Sequence, residues 1–139
     1  ALSVGGHTIA VLASSLKKQD VRNISLAESI IKGKGLLLTE YSEGRGDGPR
    51  YLARDRIIAA LGVVCIPVQA ETPSGTLATV NRACNYNRAL WVPLPLKSEE
   101  SHPSYAGIWG LIKNNSVNVL KGKEDYARME AHLKQLITK

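Results

Sequence analysis

Three arginines in one short segment have the charge and spacing of a phosphate-binding cluster. Arg50, Arg54 and Arg56 occur in the segment PRYLARDRIIAAL, just after a glycine-rich stretch. A guanidinium group presents a planar fork of donors that fits phosphate oxygens better than an ammonium group does. Tyr51 lies beside the arginines and is the best candidate in the chain for stacking on a nucleic-acid base. The segment therefore predicts a site for a phosphate-bearing ligand.

The same segment also has a structural interpretation. The apolar residues after Arg56 predict a helix over 54–61, and the N-terminus of a helix favours acidic side chains over cations. Asp55 could then cap this helix, while Arg54 and Arg56 point into solvent or pair with Asp47 or Glu71. The spacing alone favours this surface interpretation, whereas the clustering of the three arginines beside a glycine-rich loop favours phosphate.

A second candidate anion site is the turn formed by Ser74, Gly75 and Thr76. This turn leads from an apolar run into a helix-like segment, so its amides and hydroxyls would meet an anion at the positive end of the helix. The alternative is an ordinary capped helix, in which a hydroxyl accepts from a first-turn amide. Lys17 and Lys18 follow the first apolar run and add positive charge to the same kind of loop.

An alternation of strand-like and helix-like segments along the chain determines where these candidate residues lie in the fold. We predict strands at 7–13, 35–41, 63–69, 89–94 and 117–120, and helices at 23–33, 54–61, 75–86, 105–114 and 123–137. Alternating strands and helices with short Gly or Pro junctions predict an α/β fold of the Rossmann-like kind, with a mainly parallel sheet and helices on both faces. We expect one such domain over residues 1–139, with ligands at the carboxyl ends of its strands.

Composition narrows the function classes. Lys and Arg number 18 against 12 Asp and Glu, a net charge of +6 that attracts phosphates. Cys65 and Cys84 lack metal or redox spacing and are predicted to be free, buried thiols. The three histidines have no nucleophile at a telling spacing, so no catalysis, metal or cofactor is predicted. The apolar runs are shorter than the ~18 residues that a membrane span needs, and the sequence shows no signal peptide. We therefore predict a cytoplasmic protein without a membrane partner.

Several stretches taken in order resemble the DNA-processing protein A (DprA/Smf) family. They are GGHTIAVLASSLKKQDVRN, GLLLTEYSEG, YLARDRIIAALG, CIPVQAETPSGTLATV and NRALWVPLP, and their order and spacing hold over essentially the whole chain. The resemblance implies a non-enzymatic protein that binds single-stranded DNA and delivers it to the RecA recombinase in DNA recombination and natural transformation. It also implies that Arg50, Arg54, Arg56 and the turn at 74–76 form the basic, phosphate-facing edge.

The chain departs from the family pattern at its start and at one site residue. Family cores begin earlier, with a strand, a GSR-type loop and an SGxARGID loop. We therefore expect a partial chain, whose fold is completed by a partner segment or by a homodimer. Asp55 replaces a family asparagine, and its carboxylate would weaken phosphate binding unless an arginine neutralises it.

Two other functions compete with DNA binding. The same sheet edge suits a carrier or sensor of a nucleotide or nucleotide-derived ligand. A nucleoside-monophosphate phosphoribohydrolase is less favoured, because Thr79 stands where the related enzymes place a glutamate.

Overall fold

A computed structural model of the chain describes residues 1–18, 23–114 and 117–138, in which strands and helices alternate. The elements are β1 (Ile9–Val11), α1 (Ile24–Lys32), β2 (Leu36–Leu38), α2 (Gly48–Leu61), β3 (Val64–Cys65), α3 (Gly75–Asn85), β4 (Ala89–Pro93), α4 (Ala106–Lys113), β5 (Asn118–Leu120) and α5 (Lys123–Ile137). Every strand pair in the described residues is parallel. The α/β, parallel-stranded prediction is therefore confirmed, with strands shorter than expected.

The chain divides into two compact units, Ala1–Ile57 and Ile58–Lys139. In the first unit, β1 and β2 form a two-stranded parallel sheet in which Ile9 lies opposite Leu36. The only wholly buried residue of α1 is Ile30, which contacts the turn leading into β2. Glycine is required at position 35 in that turn, because a Cβ there would lie 2.3 Å from the Thr8 carbonyl oxygen.

The start of α2 differs from the sequence prediction. The helix begins at Gly48 rather than at residue 54, and Asp47 Oδ1 accepts a hydrogen bond of 2.9 Å from the Arg50 amide. Asp47 is thus the capping residue, and Pro49 occupies the first turn, where its missing N–H costs no helical bond. Asp55 lies inside the helix, so the prediction that it caps the helix is wrong. Arg54 and Arg56 consequently do not oppose a helix N-terminus, whereas Arg50 lies in the first turn of α2.

The second unit contains a three-stranded parallel sheet in the order β3, β4, β5. Two apolar clusters form around β4, one consisting of Ala59, Val80, Ala83 and Leu90 and the other of Ala70, Val92 and Ile108. Trp91, also on β4, is 3% exposed and belongs to the buried core. The thiols differ from the prediction, because Cys65 is only half-buried and Cys84 is exposed; both are free.

Candidate functional site

The carboxyl ends of β1 and β2 bring two polar loops together in the first unit. The Ser15 amide donates to the Gly44 carbonyl oxygen at 3.0 Å, and Thr39 Oγ1 donates to the Ser14 carbonyl oxygen at 2.8 Å. Parallel strands necessarily end at one edge, which is why loops distant in sequence meet here. We call this region, residues 12–18 and 39–47 together with the arginine-bearing part of α2, the carboxyl edge of the first unit.

Arg54 joins α2 to this edge. Its Nη1 donates to the Val11 carbonyl oxygen at 2.6 Å, and its Nε donates to Asp55 Oδ1 at 3.1 Å. Asp55 is only 6% exposed, so its carboxylate requires a partner, and Arg54 supplies the compensating charge. The carboxylate that replaces the family asparagine is therefore neutralised by an arginine.

Arg50 holds the glycine-rich loop after β2. Its Nη1 donates to the carbonyl oxygens of Glu43 at 3.0 Å and Arg45 at 3.2 Å, and its guanidinium lies 4.6 Å from the Tyr41 ring centroid. The loop approaches Arg50 so closely that a Cβ at Gly44 would lie 2.5 Å from Nη1. Gly44 also has a φ of 92°, in the region that favours glycine. Arg50 thus fixes the shape of this loop.

Arg56 forms an ion pair with Glu40, which directly precedes the loop held by Arg50. The Arg56 side chain is 52% exposed and that of Glu40 33%. An exposed pair of this kind contributes little to stability and exchanges readily with solvent ions. Arg50, Arg54 and Arg56 therefore all have protein partners, and the side chain of Arg56 is the most exposed of the three.

Three other cations at this edge form no ion pair with any residue that the structure describes. Lys17 and Lys18 lie in an exposed single turn of 3₁₀ helix, and Arg45 is exposed at the tip of the glycine-rich loop. Arg45 was missed from the sequence, although its position between glycines after a strand is a signal for it. Tyr51 is 51% exposed, and its ring centroid lies 5.7 Å from the Arg54 guanidinium.

The Ser-Gly-Thr turn belongs to the second unit. Ser74 has an extended backbone, and its Oγ accepts from the Leu77 amide at 3.3 Å, so the capping interpretation is correct for this hydroxyl. A Cβ at Gly75 would meet nothing within 4 Å, and the amides of Gly75 and Thr76 have no acceptor in the described part of the chain. These two amides lie at the positive end of α3 and could receive an anion.

The described ranges contain no group of three or more His, Cys, Asp or Glu side chains that could hold a metal ion. They also contain no helix with the length and apolar character needed to cross a bilayer.

The alternation of parallel strands and helices makes this chain a Rossmann-like α/β protein, a class in which ligands bind at the carboxyl ends of the strands. The chain belongs to the DNA recombination-mediator protein A family, whose model matches residues 1–130.

Individual relatives agree with this assignment. Protein Smf of Synechocystis sp. is 35% identical over 136 residues, which cover 94% of this chain and 32% of the relative. DNA processing protein A of Streptococcus pneumoniae superposes with a TM-score of 0.77 at 27% identity, over 92% of this chain and 44% of that structure. The protein of the same name from Helicobacter pylori, a structure described for its single-stranded DNA binding mode, gives 0.75 at 25% identity over 92% and 57%. The chain thus spans about a third to somewhat over half of these relatives.

Proposed function

We propose that the chain binds single-stranded DNA through the carboxyl edge of the first unit. The observation that carries this proposal is a set of exposed cations, Lys17, Lys18 and Arg45, that form no ion pair with any described residue, at the edge where parallel α/β proteins bind ligands. Family membership supports the choice of DNA, as does the single-stranded DNA binding described for the Helicobacter pylori relative.

The candidate residues take different roles in this proposal. Lys17, Lys18 and Arg45 contact phosphates, and Tyr51 stacks on a base. Arg56 exchanges Glu40 for a phosphate when DNA arrives, since its pair is exposed. Arg50 and Arg54 are positioning residues. Arg50 donates to the glycine-rich loop that carries Arg45, and Arg54 donates to Val11 at the end of β1, just before the loop that carries Lys17 and Lys18.

In the second unit, the turn formed by Ser74, Gly75 and Thr76 offers a phosphate contact of its own through the Gly75 and Thr76 amides, which have no acceptor among the described residues. Such a contact is directed at the backbone and therefore tolerates any base sequence.

The role of the whole protein is proposed from the family. In this role the protein acts in the cytoplasm, delivers DNA to the RecA recombinase during recombination and natural transformation, and performs no catalysis itself. A partner segment or a second copy completes the fold. This completion is supported by β1, which pairs only with β2 among the described strands, and by Ile9 on β1, which is 54% exposed.

The experiment that tests DNA binding is fluorescence anisotropy with oligothymidylates of increasing length, with thymidine monophosphate as competitor. DNA binding predicts that affinity rises with length and falls steeply with salt. A nucleotide carrier or sensor would instead be saturated by the mononucleotide, which would contradict the proposal.

A matched pair of variants locates the site. Lys17→Gln with Lys18→Gln should weaken binding about tenfold at moderate salt, because two phosphate contacts are lost. Lys34→Gln with Lys113→Gln makes the same change of charge on exposed lysines that precede β2 and β5, at the amino ends of those strands, and should leave affinity within about twofold. Equal losses in the two variants would show that net charge alone causes binding.

A further inference from the structure

The second unit contains a cavity of about 530 Å³ that the proposed DNA binding does not use. Val63 lies just before β3, Ala89 begins β4 and Asn118 begins β5, and all three line the cavity. The cavity therefore lies at the amino ends of the strands, whereas the Ser74 turn follows the carboxyl end of β3. Its volume falls in the range of small-molecule sites in proteins.

The cavity combines polar donors with an apolar wall. Arg88, Asn118, His132 and the Cys84 thiol contribute polar groups, while Val63 and Leu136 are among the apolar lining residues. His132 also lies against the core, with its ring centroid 6.0 Å from that of Trp91. A site of this composition suits a ligand that has one charged end and one flat, apolar part.

Arg88 is held in place by the end of α3. Asn87 adopts a left-handed conformation with a φ of 54°, its amide donates to the Cys84 carbonyl oxygen at 2.9 Å, and the Arg88 amide donates to the Ala83 carbonyl oxygen at 2.8 Å. This pair of bonds is the Schellman motif, in which asparagine is the usual substitute for glycine. The backbone of Arg88 is consequently fixed before any ligand binds.

The guanidinium of Arg88 has unused donor capacity. Nη2 donates to the Ala60 carbonyl oxygen at 2.9 Å, but Nε is buried and has no hydrogen-bond partner within the described residues. That nitrogen is out of reach of a ligand, but Nη1 also forms no hydrogen bond within the described residues and is not one of their buried polar atoms. Nη1 is therefore the donor that an anion in the adjoining cavity can meet, as guanidinium groups do with carboxylate and phosphate groups.

We propose that this cavity binds a small organic anion, a phosphate monoester or a carboxylate, that carries a planar apolar body. Arg88 receives the charged group, the Asn118 side chain adds a polar contact, and the body lies against Val63, Leu136 and the His132 ring. The proposal stands on the second unit alone and does not depend on DNA binding.

Cys84 provides the readout, because its exposed thiol lines the cavity. Saturating adenosine monophosphate or benzoate should slow alkylation of Cys84 by iodoacetamide about tenfold, as a filled cavity excludes the reagent. Neutral adenosine and benzamide should give no such protection. Burial, together with the nearby Cys84 thiol, raises the pKa of Cys65, so its slow reaction is an internal reference. Equal protection by the neutral compounds, or none by either anion, would overturn the proposal.

Three variants test whether the protection of Cys84 arises from an anion bound at Arg88 in this cavity. Arg88→Gln should weaken protection by either anion at least about tenfold, because it removes the charge and the fork. Leu136→Trp retains Arg88 but fills the cavity, and should abolish protection even if Arg88→Gln does not fold. Protection that survives Leu136→Trp would contradict the cavity as the site. Lys17→Gln with Lys18→Gln should leave protection unchanged, and a loss there would assign it to the carboxyl edge of the first unit.

Discussion

The cations at the carboxyl edge of the first unit form two groups that differ in what they contact. Arg50 donates to backbone carbonyl oxygens of the glycine-rich loop, whereas Arg54 donates to that of Val11 at the end of β1 and neutralises a buried carboxylate. Lys17 and Lys18 lie in an exposed turn and form no ion pair within the described ranges. The comparison shows that clustered positive charges in a sequence do not by themselves identify a ligand-binding surface.

The chemistry of the side chains explains this division. A guanidinium has several donors in a rigid plane and can hold two carbonyl oxygens at once, as Arg50 does. A lysine ammonium is a compact, strongly hydrated charge, which suits a surface that has to exchange water for phosphate. The arginines thus shape the loops, and the lysines remain available for a ligand.

The largest expected effect comes from Arg54→Ala. This change leaves the buried Asp55 carboxylate without its partner and removes the bond to Val11, and it should lower the free energy of unfolding by about 2 kcal/mol. The measurement is urea denaturation of the full chain. Adding Asp55→Asn should recover most of the loss, because the uncompensated charge disappears. A single variant as stable as the wild type would show that Arg54 has no positioning role.

The second-largest effect on stability is expected for Ser74, which caps α3 in the second unit. Ser74→Ala removes the acceptor for the Leu77 amide and should cost about 1 kcal/mol, whereas Ser74→Gly should cost only a few tenths. Thermal unfolding followed by circular dichroism measures both. Equal losses for alanine and glycine would mean that Ser74 acts through something other than the cap.

The smallest effect on stability is expected for Arg56→Gln. Its ion pair with Glu40 is exposed, so the free energy of unfolding should change by less than about 0.5 kcal/mol. Glu40→Gln should change the free energy of unfolding equally little, but it should strengthen DNA binding because it releases Arg56 from its ion pair. A loss above about 1 kcal/mol for Arg56→Gln would place Arg56 with the positioning arginines instead.

The regular elements could be predicted from the sequence where the periodicity was strong. Helix α5 spans Lys123–Ile137, the range that was predicted, because its apolar residues recur at helical spacing and Gly122 precedes it. Strand β3 is shorter than predicted and consists of Val64–Cys65 alone. Pro67 explains part of this difference, since it has no N–H to donate to a neighbouring strand.

The site was harder to predict because its partners are distant in sequence. Asp47 and Pro49 together are a helix-start signal, but their position in a glycine-rich stretch led to a prediction that placed the start too late. The contacts of Arg54 with Val11 and of Arg56 with Glu40 arise only after β1, β2 and α2 have packed. No local pattern distinguishes such paired arginines from free ones.

The central claim is that the partner-free cations contact DNA while the paired arginines position the loops. Its most direct test is the salt dependence of oligothymidylate binding for the wild type and for the variant Lys17→Gln, Lys18→Gln, Arg45→Gln. Each lost phosphate contact lowers the slope of log affinity against log salt by about 0.7, so the triple variant should lose about 2 units of slope while retaining its stability. An unchanged slope in a folded triple variant would contradict the account.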